Sequence, residues 1–320
     1  MSGNRDLLDL KTKQGAIVVS TGGHLEQALR RVSQLELNGH LTFFTPRSSQ
    51  SESKLLGFRV DFIHNVGSRD FFGGLRAFLQ LLLRLKRSEF DFVLSTGAGV
   101  AIAAFFVCRI KKIDFYYIES IARQTQPSLT GKVLEKLRAD NLYTESKNFG
   151  TNRWRKVDSI FSNYQIHVNE LAKNEQESLK IFVTVGTVHK FPFNRILELV
   201  SSVLKEGDIV VWQTGQIQSA NLPGMFHVEM SDSVFMENLK SADVVISHAG
   251  VGSILNILDS GKCPILIPRL LKFYEHIDDH QLQIASVVAQ YGLAMVVTKD
   301  LTREDFAFAL RRTLVNPSSA

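Results

Sequence analysis

The first histidine along the chain, His24, follows two glycines in the segment Ser-Thr-Gly-Gly-His at residues 20–24. This segment lies between a short apolar run and an amphipathic stretch, which predicts a tight turn from a strand into a helix. Gly22 and Gly23 would let the backbone turn sharply, and the free N–H groups at a helix start attract anions. The His24 imidazole could take a proton from a hydroxyl group there. A tight turn that carries a surface histidine explains these residues equally well.

Two later strand ends in the first half of the chain also carry candidate groups. Gly97 lies in a second glycine turn, Ser-Thr-Gly-Ala-Gly. Glu119 and Ser120 end the next predicted strand, and Arg123 and Lys132 follow them. A carboxylate with cations nearby could hold a polar acceptor or its phosphate. An exposed network of ion pairs is the alternative interpretation.

The segment Ser-His-Ala-Gly-Val-Gly-Ser at 247–253 gives the clearest signal for anion binding in the second half. It follows an apolar run and opens a helical pattern, so its backbone N–H groups and a hydroxyl could hold a diphosphate. It is neither a Walker A loop nor a complete Gly-x-Gly-x-x-Gly motif. The candidate binding residues are His248, Gly250, Gly252, Ser253 and Asn256, together with Thr187 after an earlier strand.

A dense polar segment follows the next apolar run and contains Arg269, Glu275, His276, Asp279, His280 and Gln281. Acidic residues suit a first helical turn, but this many polar side chains favour recognition of a hydroxyl-rich ligand. His276 and His280 are four residues apart, as zinc ligands can be, yet no His-Glu-x-x-His motif or cysteine partner accompanies them. No Asp-x-Asp motif is present either. We therefore expect no metal site.

Short apolar runs alternate with longer amphipathic segments along most of the chain. Strands are predicted at 16–20, 41–45, 60–64, 91–95, 113–118, 141–145, 180–186, 208–215, 226–230, 243–247, 264–268 and 293–297. Helices are predicted at 24–37, 71–87, 99–109, 129–138, 191–205, 233–241, 252–260, 278–290 and 302–314. This alternation predicts an α/β fold whose parallel sheets are covered on both faces. Ligands of such sheets bind beyond the carboxyl ends of the strands, where the candidate residues lie.

The length of 320 residues predicts two domains. We place them at 1–165 and 166–320, because residues 147–179 are polar and irregular around the junction. The closing helix, from 302 to between 314 and 316, could pack back on the first domain. The net charge of +5, with 44% hydrophobic residues, is typical of a globular protein and excludes a disordered chain. Two cysteines exclude a disulfide framework, and no leader or spanning segment is evident, so we expect a cytoplasmic protein.

Residues 71–87, FFGGLRAFLQLLLRLKR, combine phenylalanines and leucines with four basic residues. This composition favours a helix that lies in an anionic membrane interface. A domain helix with a wide face toward the core is the alternative interpretation. A basic stripe with interleaved aromatic residues does not occur elsewhere, so we expect no nucleic-acid partner.

Together these motifs resemble a known glycosyltransferase family. Those at 20–24, 119–123 and 128–132 (Ser-Leu-Thr-Gly-Lys) are similar to the acceptor-side, membrane-bound subunit of the eukaryotic dolichol-linked GlcNAc transferase. Those at 184–187 (Thr-Val-Gly-Thr), 247–253 and 268–281 look like its catalytic subunit. They resemble bacterial exopolysaccharide and capsule counterparts even more, as if both subunits were fused. A more distant likeness is to the peptidoglycan N-acetylglucosaminyltransferase of glycosyltransferase family 28.

The resemblance implies a GT-B fold, in which two Rossmann-like doubly wound domains face a cleft. It implies an inverting enzyme that uses a UDP-sugar and a polyprenyl-diphosphate-linked saccharide. Because no metal motif is present, we expect the enzyme to be metal-independent and without a cofactor. The C-terminal residues from Thr187 to Gln281 would bind the donor. The N-terminal residues Gly22, Gly23, Gly97, Ser120, Arg123 and Lys132 would bind the acceptor. His24 would be the catalytic base, with Glu119 as second choice, and Asn256 replaces a glutamate that often holds the ribose.

Basic residues near the expected sugar site bear on the identity of the donor sugar. Arg269, Lys272, His276 and His280 place many basic groups near the expected sugar, which favours UDP-glucuronic acid over UDP-GlcNAc, UDP-galactose or UDP-glucose. We expect a hexosyltransferase of bacterial exopolysaccharide or capsule synthesis, peripheral on the inner face of the cell membrane through helix 71–87. A UDP-sugar 2-epimerase-like enzyme and a non-catalytic membrane-recruitment partner are the alternatives.

Overall fold

The structure is a computed structural model that describes residues 6–67, 70–147, 149, 151–170, 172–186, 191–215, 217 and 222–315. The chain divides between residues 160 and 161 into two compact units, here called the N-terminal unit and the C-terminal unit. Each unit contains a parallel sheet with helices. The predicted α/β fold with two parallel-sheet domains is confirmed.

The N-terminal unit has one parallel sheet in the order β3-β2-β1-β4-β5-β6-β7. Its strands are β1 (Gly15–Val18), β2 (Leu41–Thr45), β3 (Arg59–Phe62), β4 (Phe92–Ser95), β5 (Asp114–Ile118), β6 (Asn141–Thr144) and β7 (Trp154–Lys156). Its helices are α1 (Gly23–Gln34), α2 (Ser49–Lys54), α3 (Phe71–Arg84), α4 (Val100–Lys111) and α5 (Leu129–Lys136). The chain winds outward in both directions from the neighbouring strands β1 and β4, which makes their carboxyl ends the switch point of the sheet.

The C-terminal unit has a second parallel sheet in the order β11-β10-β9-β12-β13-β14. Its strands are β8 (Gln165–Val168), β9 (Lys180–Thr184), β10 (Ile209–Gln213), β11 (Met225–His227), β12 (Val244–Ser247), β13 (Ile265–Leu266), β14 (Met295–Val296) and β15 (Arg312–Val315). Its helices are α6 (Asn194–Ser201), α7 (Asp232–Ser241), α8 (Val251–Asp259), α9 (His280–Gln290) and α10 (Phe306–Leu310). The switch point lies between β9 and β12.

The central strands send alternate residues into two cores on opposite faces of each sheet. In β1, Ala16 and Val18 join one core, whereas Ile17 joins the other. In β9, Val183 and Phe182 are divided in the same way. Side chains of a strand alternate between its faces, so strands covered on both sides become continuous apolar runs. This explains why the central strands were predictable.

The edge strands and the last helix differ from the sequence prediction. Residues 60–64 were expected as a buried strand, but β3 lies at the edge of its sheet and is partly exposed. The closing helix is also shorter than predicted, since α10 ends at Leu310 and β15 follows. β15 pairs antiparallel with β8, and Phe306 packs in the core of the C-terminal unit. The polar junction 147–179 likewise contains β7 and β8. Short edge strands bury too little apolar surface to produce a clear pattern.

Candidate functional site

The helices that start at the switch points lack the side-chain caps found on several other helices. Gly22 precedes α1, Gly99 precedes α4 and Gly250 precedes α8, each without a side-chain cap. Four other helices are capped by Ser48, Asp70, Ser128 and Ser231. The first N–H groups of a helix have no partner within the helix. At the switch points these groups can therefore serve a ligand.

The His24 imidazole in the first turn of α1 is held by the turn that follows β4. Its Nδ1 lies 2.9 Å from the carbonyl oxygen of Thr96, and the Thr96 hydroxyl donates to the His24 carbonyl over 2.8 Å. A carbonyl can only accept, so Nδ1 carries the proton and Nε2 presents a lone pair. Burial lowers the pKa of His24, the Thr96 carbonyl opposes this, and the charge of Arg123 lowers it further. A neutral imidazole with a free Nε2 is suited to act as a general base.

Gly97 allows the close approach between this turn and the His24 ring. Its φ is +132°, and a Cβ placed there would lie 2.5 Å from Cε1 of His24. Any other residue would therefore be strained and would displace the ring. Gly97, which was predicted to bind the acceptor, thus positions the candidate base His24 in the structure.

The turn at Gly22 and Gly23 has a different environment from the anion site that the sequence predicts. The N–H of Gly22 donates to Oε1 of Gln50 over 2.6 Å. The carboxylate of Glu26, in the first turn of α1, is buried and accepts a bond from Nε2 of Gln50 at 3.0 Å. A carboxylate at a helix start occupies the favourable place for an anion. The turn therefore positions His24, and the predicted contact of Gly22 and Gly23 with the acceptor stays a prediction.

Glu119 is buried at the end of β5, where both of its oxygens accept hydrogen bonds. Oε1 accepts from the Ser120 N–H at 2.8 Å and from the Tyr117 hydroxyl at 3.1 Å. Oε2 accepts from the N–H and the hydroxyl of Ser128, at 2.9 and 3.0 Å. Burial raises the pKa of Glu119, and these hydrogen bonds oppose the rise. The carboxylate thus fastens the loop before α5 to the strand and is not part of an exposed network of ion pairs, which was the alternative interpretation of this segment.

The other predicted acceptor residues lie around this fastened loop. Arg123 is close enough to His24 for its charge to act on the imidazole. Lys132 is exposed, and its Nζ donates to Oε1 of Gln126 over 2.8 Å. Gln27 of α1 also contacts this loop: its Nε2 donates to the Glu119 carbonyl over 3.0 Å, and its Oε1 accepts from the Ile121 N–H over 3.2 Å. No signal in the sequence indicates this role. Helix α1 therefore supports the loop as well as the base.

In the C-terminal unit, His248 follows β12 and is almost fully buried. Its ring lies between two glycines, because a Cβ at Gly186 or Gly250 would come within 2.5 or 2.3 Å of it. Burial lowers its pKa to about 3, and the charge of Arg269 adds to this. Its Nδ1 has no hydrogen-bond partner among the described residues. A buried polar atom without a partner is rare and indicates a place for a ligand.

The start of α8 is next to this histidine. Gly250, Gly252, Ser253 and Asn256 are all partly exposed there. No side chain caps this end, so the N–H groups of its first turn can bind an anion, as the sequence analysis predicts. Thr187, the remaining residue predicted for this site, lies outside the described residues.

Arg269 and Glu275 make structural contacts inside the C-terminal unit, and their predicted role in donor binding stays a prediction. Arg269 is buried, and its guanidinium donates to the carbonyls of Phe191 and Val185, at 2.9 and 3.3 Å. Glu275 is also buried and forms an ion pair with Arg195 at 2.8 Å. Neither charge is directed to solvent. Arg195 was not predicted from the sequence, because it lies in no recognisable motif.

Three other predicted residues shape the turn before α9. The Asp279 carboxylate accepts from the Leu271 N–H at 2.8 Å, and Gln281 accepts from the Arg269 N–H at 3.0 Å. Nδ1 of His280 donates to the carboxylate of Asp278, whose Oδ1 also lies 3.2 Å from Nδ1 of His276. The turn is therefore held in one conformation by its own side chains.

The C-terminal unit matches a known family model. Residues 180–319 match the glycosyltransferase family 28 C-terminal domain. Two similar curated proteins are UDP-N-acetylglucosamine--N-acetylmuramyl-(pentapeptide) pyrophosphoryl-undecaprenol N-acetylglucosamine transferases. The one from Shewanella oneidensis is 24% identical over 302 residues, covering 87% of this chain and 81% of its own. The one from Shewanella piezotolerans is 25% identical over 307 residues, covering 88% and 82%.

Solved glycosyltransferase structures share the fold. MurG of Acinetobacter baumannii aligns with a TM-score of 0.55 and 20% identity, covering 92% of this chain and 88% of its own. UGT89C1 of Arabidopsis thaliana, solved with quercetin, aligns with a TM-score of 0.60 and 13% identity, covering 92% and 88%. The calicheamicin glycosyltransferase CalG4 aligns with a TM-score of 0.53 and 14% identity, covering 93% of this chain and 89% of its own. At these identities the likeness establishes the architecture, which is the predicted GT-B fold.

Proposed function

We propose that this chain, a glycosyltransferase with the GT-B fold and a family 28 C-terminal domain, transfers N-acetylglucosamine from UDP-GlcNAc to a polyprenyl-diphosphate-linked saccharide. The observation that carries the proposal is the uncapped start of α8 beside the unpartnered Nδ1 of His248, within the segment that matches the family model. Synthesis of exopolysaccharide or capsule stays a prediction from the sequence.

The donor diphosphate binds at the start of α8. The N–H groups of the first helical turn and the hydroxyl of Ser253 donate to its oxygens, and the helix dipole favours the negative charge. His248 stays neutral because its pKa is about 3, so it contributes a hydrogen bond rather than a charge. These donors stabilise UDP as it leaves, and the proposed reaction uses no metal ion.

N-acetylglucosamine fits the polar turn before α9 better than glucuronic acid does. The glucuronate prediction depends on four basic residues, but Arg269 is directed to backbone carbonyls inside the unit. Lys272 lies over the ring of Phe273, with Nζ 4.7 Å from the ring centre. The names of the Shewanella relatives also give N-acetylglucosamine as the sugar transferred. Both observations support a neutral donor sugar.

His24 acts as the base in the N-terminal unit. Nε2 of His24 takes the proton of an acceptor hydroxyl while the hydroxyl oxygen forms a bond to the anomeric carbon of the donor. The bond from that carbon to the phosphate oxygen breaks, and UDP leaves with the electron pair. A single displacement inverts the anomeric carbon. Glu119 is not needed as a base, because its oxygens hold the loop at Ser128.

The lipid acceptor requires contact with a membrane surface, which α3 offers. An exposed apolar stripe runs along this helix at intervals of four residues: Phe71, Leu75, Leu79 and Leu83. The opposite stripe, Gly73, Ala77 and Leu81, is buried. Exposed Phe106 and Ile110 lie on α4, which packs against α3. Among the described residues no helix is both long and apolar enough to span a bilayer, so the contact is proposed to be peripheral.

Calorimetry of donor binding tests the proposal. We expect UDP-GlcNAc to bind more tightly than UDP-glucuronic acid. Ser253→Ala should weaken binding about tenfold, since a hydrogen bond to a charged group contributes about 1.5–3 kcal/mol. Ser286→Ala is the matched control, because its hydroxyl donates to the Leu282 carbonyl within α9. Tighter binding of UDP-glucuronic acid, or equal effects of the two variants, would contradict the assignment.

A further inference from the structure

Three side chains, two from the turn before α9 and one from the first residue of α9, lie close together although each is separated from the next by one residue. One nitrogen each of His276 and His280 and one carboxylate oxygen of Asp278 lie within 4.8 Å of one another. The rings of the two histidines meet edge to face, with centroids 4.5 Å apart. Asp278 contacts both imidazoles through the same oxygen, Oδ1. This group is here called the His-Asp-His cluster.

Two imidazoles and a carboxylate form a typical ligand set for a borderline transition metal such as zinc. Ligands of a tetrahedral zinc ion with bonds of about 2.0–2.1 Å lie about 3.3 Å apart. The 3.2 Å between Nδ1 of His276 and Oδ1 of Asp278 already matches this spacing. Rotation of the His280 ring would supply the third ligand.

The cluster is also accessible to an ion from solvent. The side chains of His276, Asp278 and His280 are 13, 33 and 24% exposed. Each side chain is therefore partly buried and partly in contact with solvent. Three protein ligands with an open fourth position are typical of exchangeable zinc sites rather than of closed structural ones.

Neighbouring residues hold the turn that presents these ligands. Asp279 is bonded to the Leu271 N–H, and Gln281 to the Arg269 N–H. Glu275, just before the cluster, is fixed by its ion pair with Arg195. Such second-layer contacts orient metal ligands and reduce the entropy lost on binding.

We propose that the His-Asp-His cluster binds one divalent transition-metal ion of the zinc class, and that this ion inhibits the enzyme by competing with the donor. Metal binding stands on the cluster alone. The competition rests on the proposed function, because His276 and His280 are among the residues predicted to bind the donor. We expect micromolar affinity for the metal ion. The site has only three protein ligands, and the positive charge of buried Arg269, which acts on His276, would weaken the binding of a cation.

Titration of the untagged, full-length chain with zinc chloride, followed by calorimetry, tests metal binding. We expect one saturable site per chain, and cobalt(II) in the same site should give visible absorption bands. Asp278→Asn, His276→Gln and His280→Gln should each weaken zinc binding at least tenfold. His167→Gln, on the exposed strand β8, is the control and should leave affinity unchanged. Absence of saturable binding, or equal affinity in the cluster variants, would overturn the site.

A second titration separates this proposal from the proposed function. UDP-GlcNAc is titrated into the wild-type chain with and without saturating zinc. A rise of at least tenfold in the apparent Kd supports competition. Donor binding that zinc leaves unchanged would refute competition while the metal site stands. Zinc binding without any UDP-GlcNAc binding would refute the proposed donor and leave the metal site intact.

Discussion

The candidate base His24 depends on one carbonyl and on one missing side chain. The Thr96 carbonyl accepts a hydrogen bond from the protonated Nδ1, so Nε2 keeps its lone pair and can receive a proton. Gly97 leaves the space that the ring occupies. Both partners come from the turn after β4, whereas His24 itself follows β1, so they become neighbours only because these two strands pair.

Gly97→Ala should therefore lower kcat about a hundredfold while the protein stays folded. The new Cβ would lie 2.5 Å from the His24 ring, and a misplacement of about 1 Å can cost this much. Gly57→Ala is the matched control, because Gly57 has a φ of +90° but nothing within 4 Å of a Cβ. Steady-state kinetics and thermal melts of both variants distinguish a displaced base from general backbone strain. Equal losses of kcat in the two variants would refute the role of Gly97.

The pH profile should reflect the lowered pKa of His24. Because only the neutral imidazole accepts a proton, kcat/KM should stay level as pH falls through 6.5 and decline at lower pH. His24→Gln should lower kcat about 10²–10⁴-fold and abolish this acid limb. Measured kcat/KM from pH 5 to 8 would speak against His24 as the base if the decline began above pH 6.5, or if the variant kept it.

Glu119→Gln distinguishes the two roles considered for this carboxylate. A Gln side chain can accept at one position only, so the bonds to Ser128 or to Ser120 and Tyr117 are lost. We expect about 1–3 kcal/mol lower stability for this buried group, with a loss of kcat below tenfold. Chemical denaturation and kinetics of the same variant measure both quantities. Unchanged stability with a loss of kcat near a thousandfold would identify Glu119 as the base.

At the level of elements, α3 shows how a sequence pattern can have two meanings. Its apolar residues suit either a core face or a membrane face. The structure separates them, because small residues and Leu81 face the core whereas the stripe from Phe71 to Leu83 is exposed. Contiguous apolar surface of this kind on a protein indicates an interaction site.

Replacement of Phe71 and Phe72 by serine should reduce binding to vesicles of anionic lipid at least tenfold. These side chains are 78 and 77% exposed, and burial of one Phe in an apolar phase stabilises by about 1.5–3 kcal/mol. Leu56→Ser is the control, since Leu56 is 81% exposed outside the helices. Sedimentation with vesicles measures the effect. If the control reduced binding equally, or the double variant retained it, α3 would not be the membrane contact.

The elements also show where sequence reasoning succeeds. Buried central strands such as β1, β9 and β12 were predictable because both of their faces are apolar. The glycine turns after them were predictable because a strand that leads directly into a helix requires them. The edge strand β3 and the end of α10 were not, since pairing between distant segments, such as β8 with β15, decides them.

Across the whole molecule, each unit has a glycine in close contact with a histidine ring at its switch point. Gly97 approaches His24 in the N-terminal unit, and Gly186 approaches His248 in the C-terminal unit. The sequence predicted both histidines but could not give their environments. Burial and pairing of Arg269 and Glu275 depend on partners distant in sequence, such as Phe191 and Arg195. Charges that look available in a motif are therefore committed to structure.

The proposed transfer of N-acetylglucosamine to a lipid-linked saccharide predicts a defined product. Mass spectrometry detects it when the full-length chain is incubated with a synthetic polyprenyl-diphosphate saccharide and each of a panel of UDP-sugars. We predict one product, the acceptor extended by a single N-acetylglucosamine, formed only with UDP-GlcNAc and greatly reduced with His24→Gln. An acceptor extended by glucuronic acid, or an acceptor left unextended by every UDP-sugar, would contradict it.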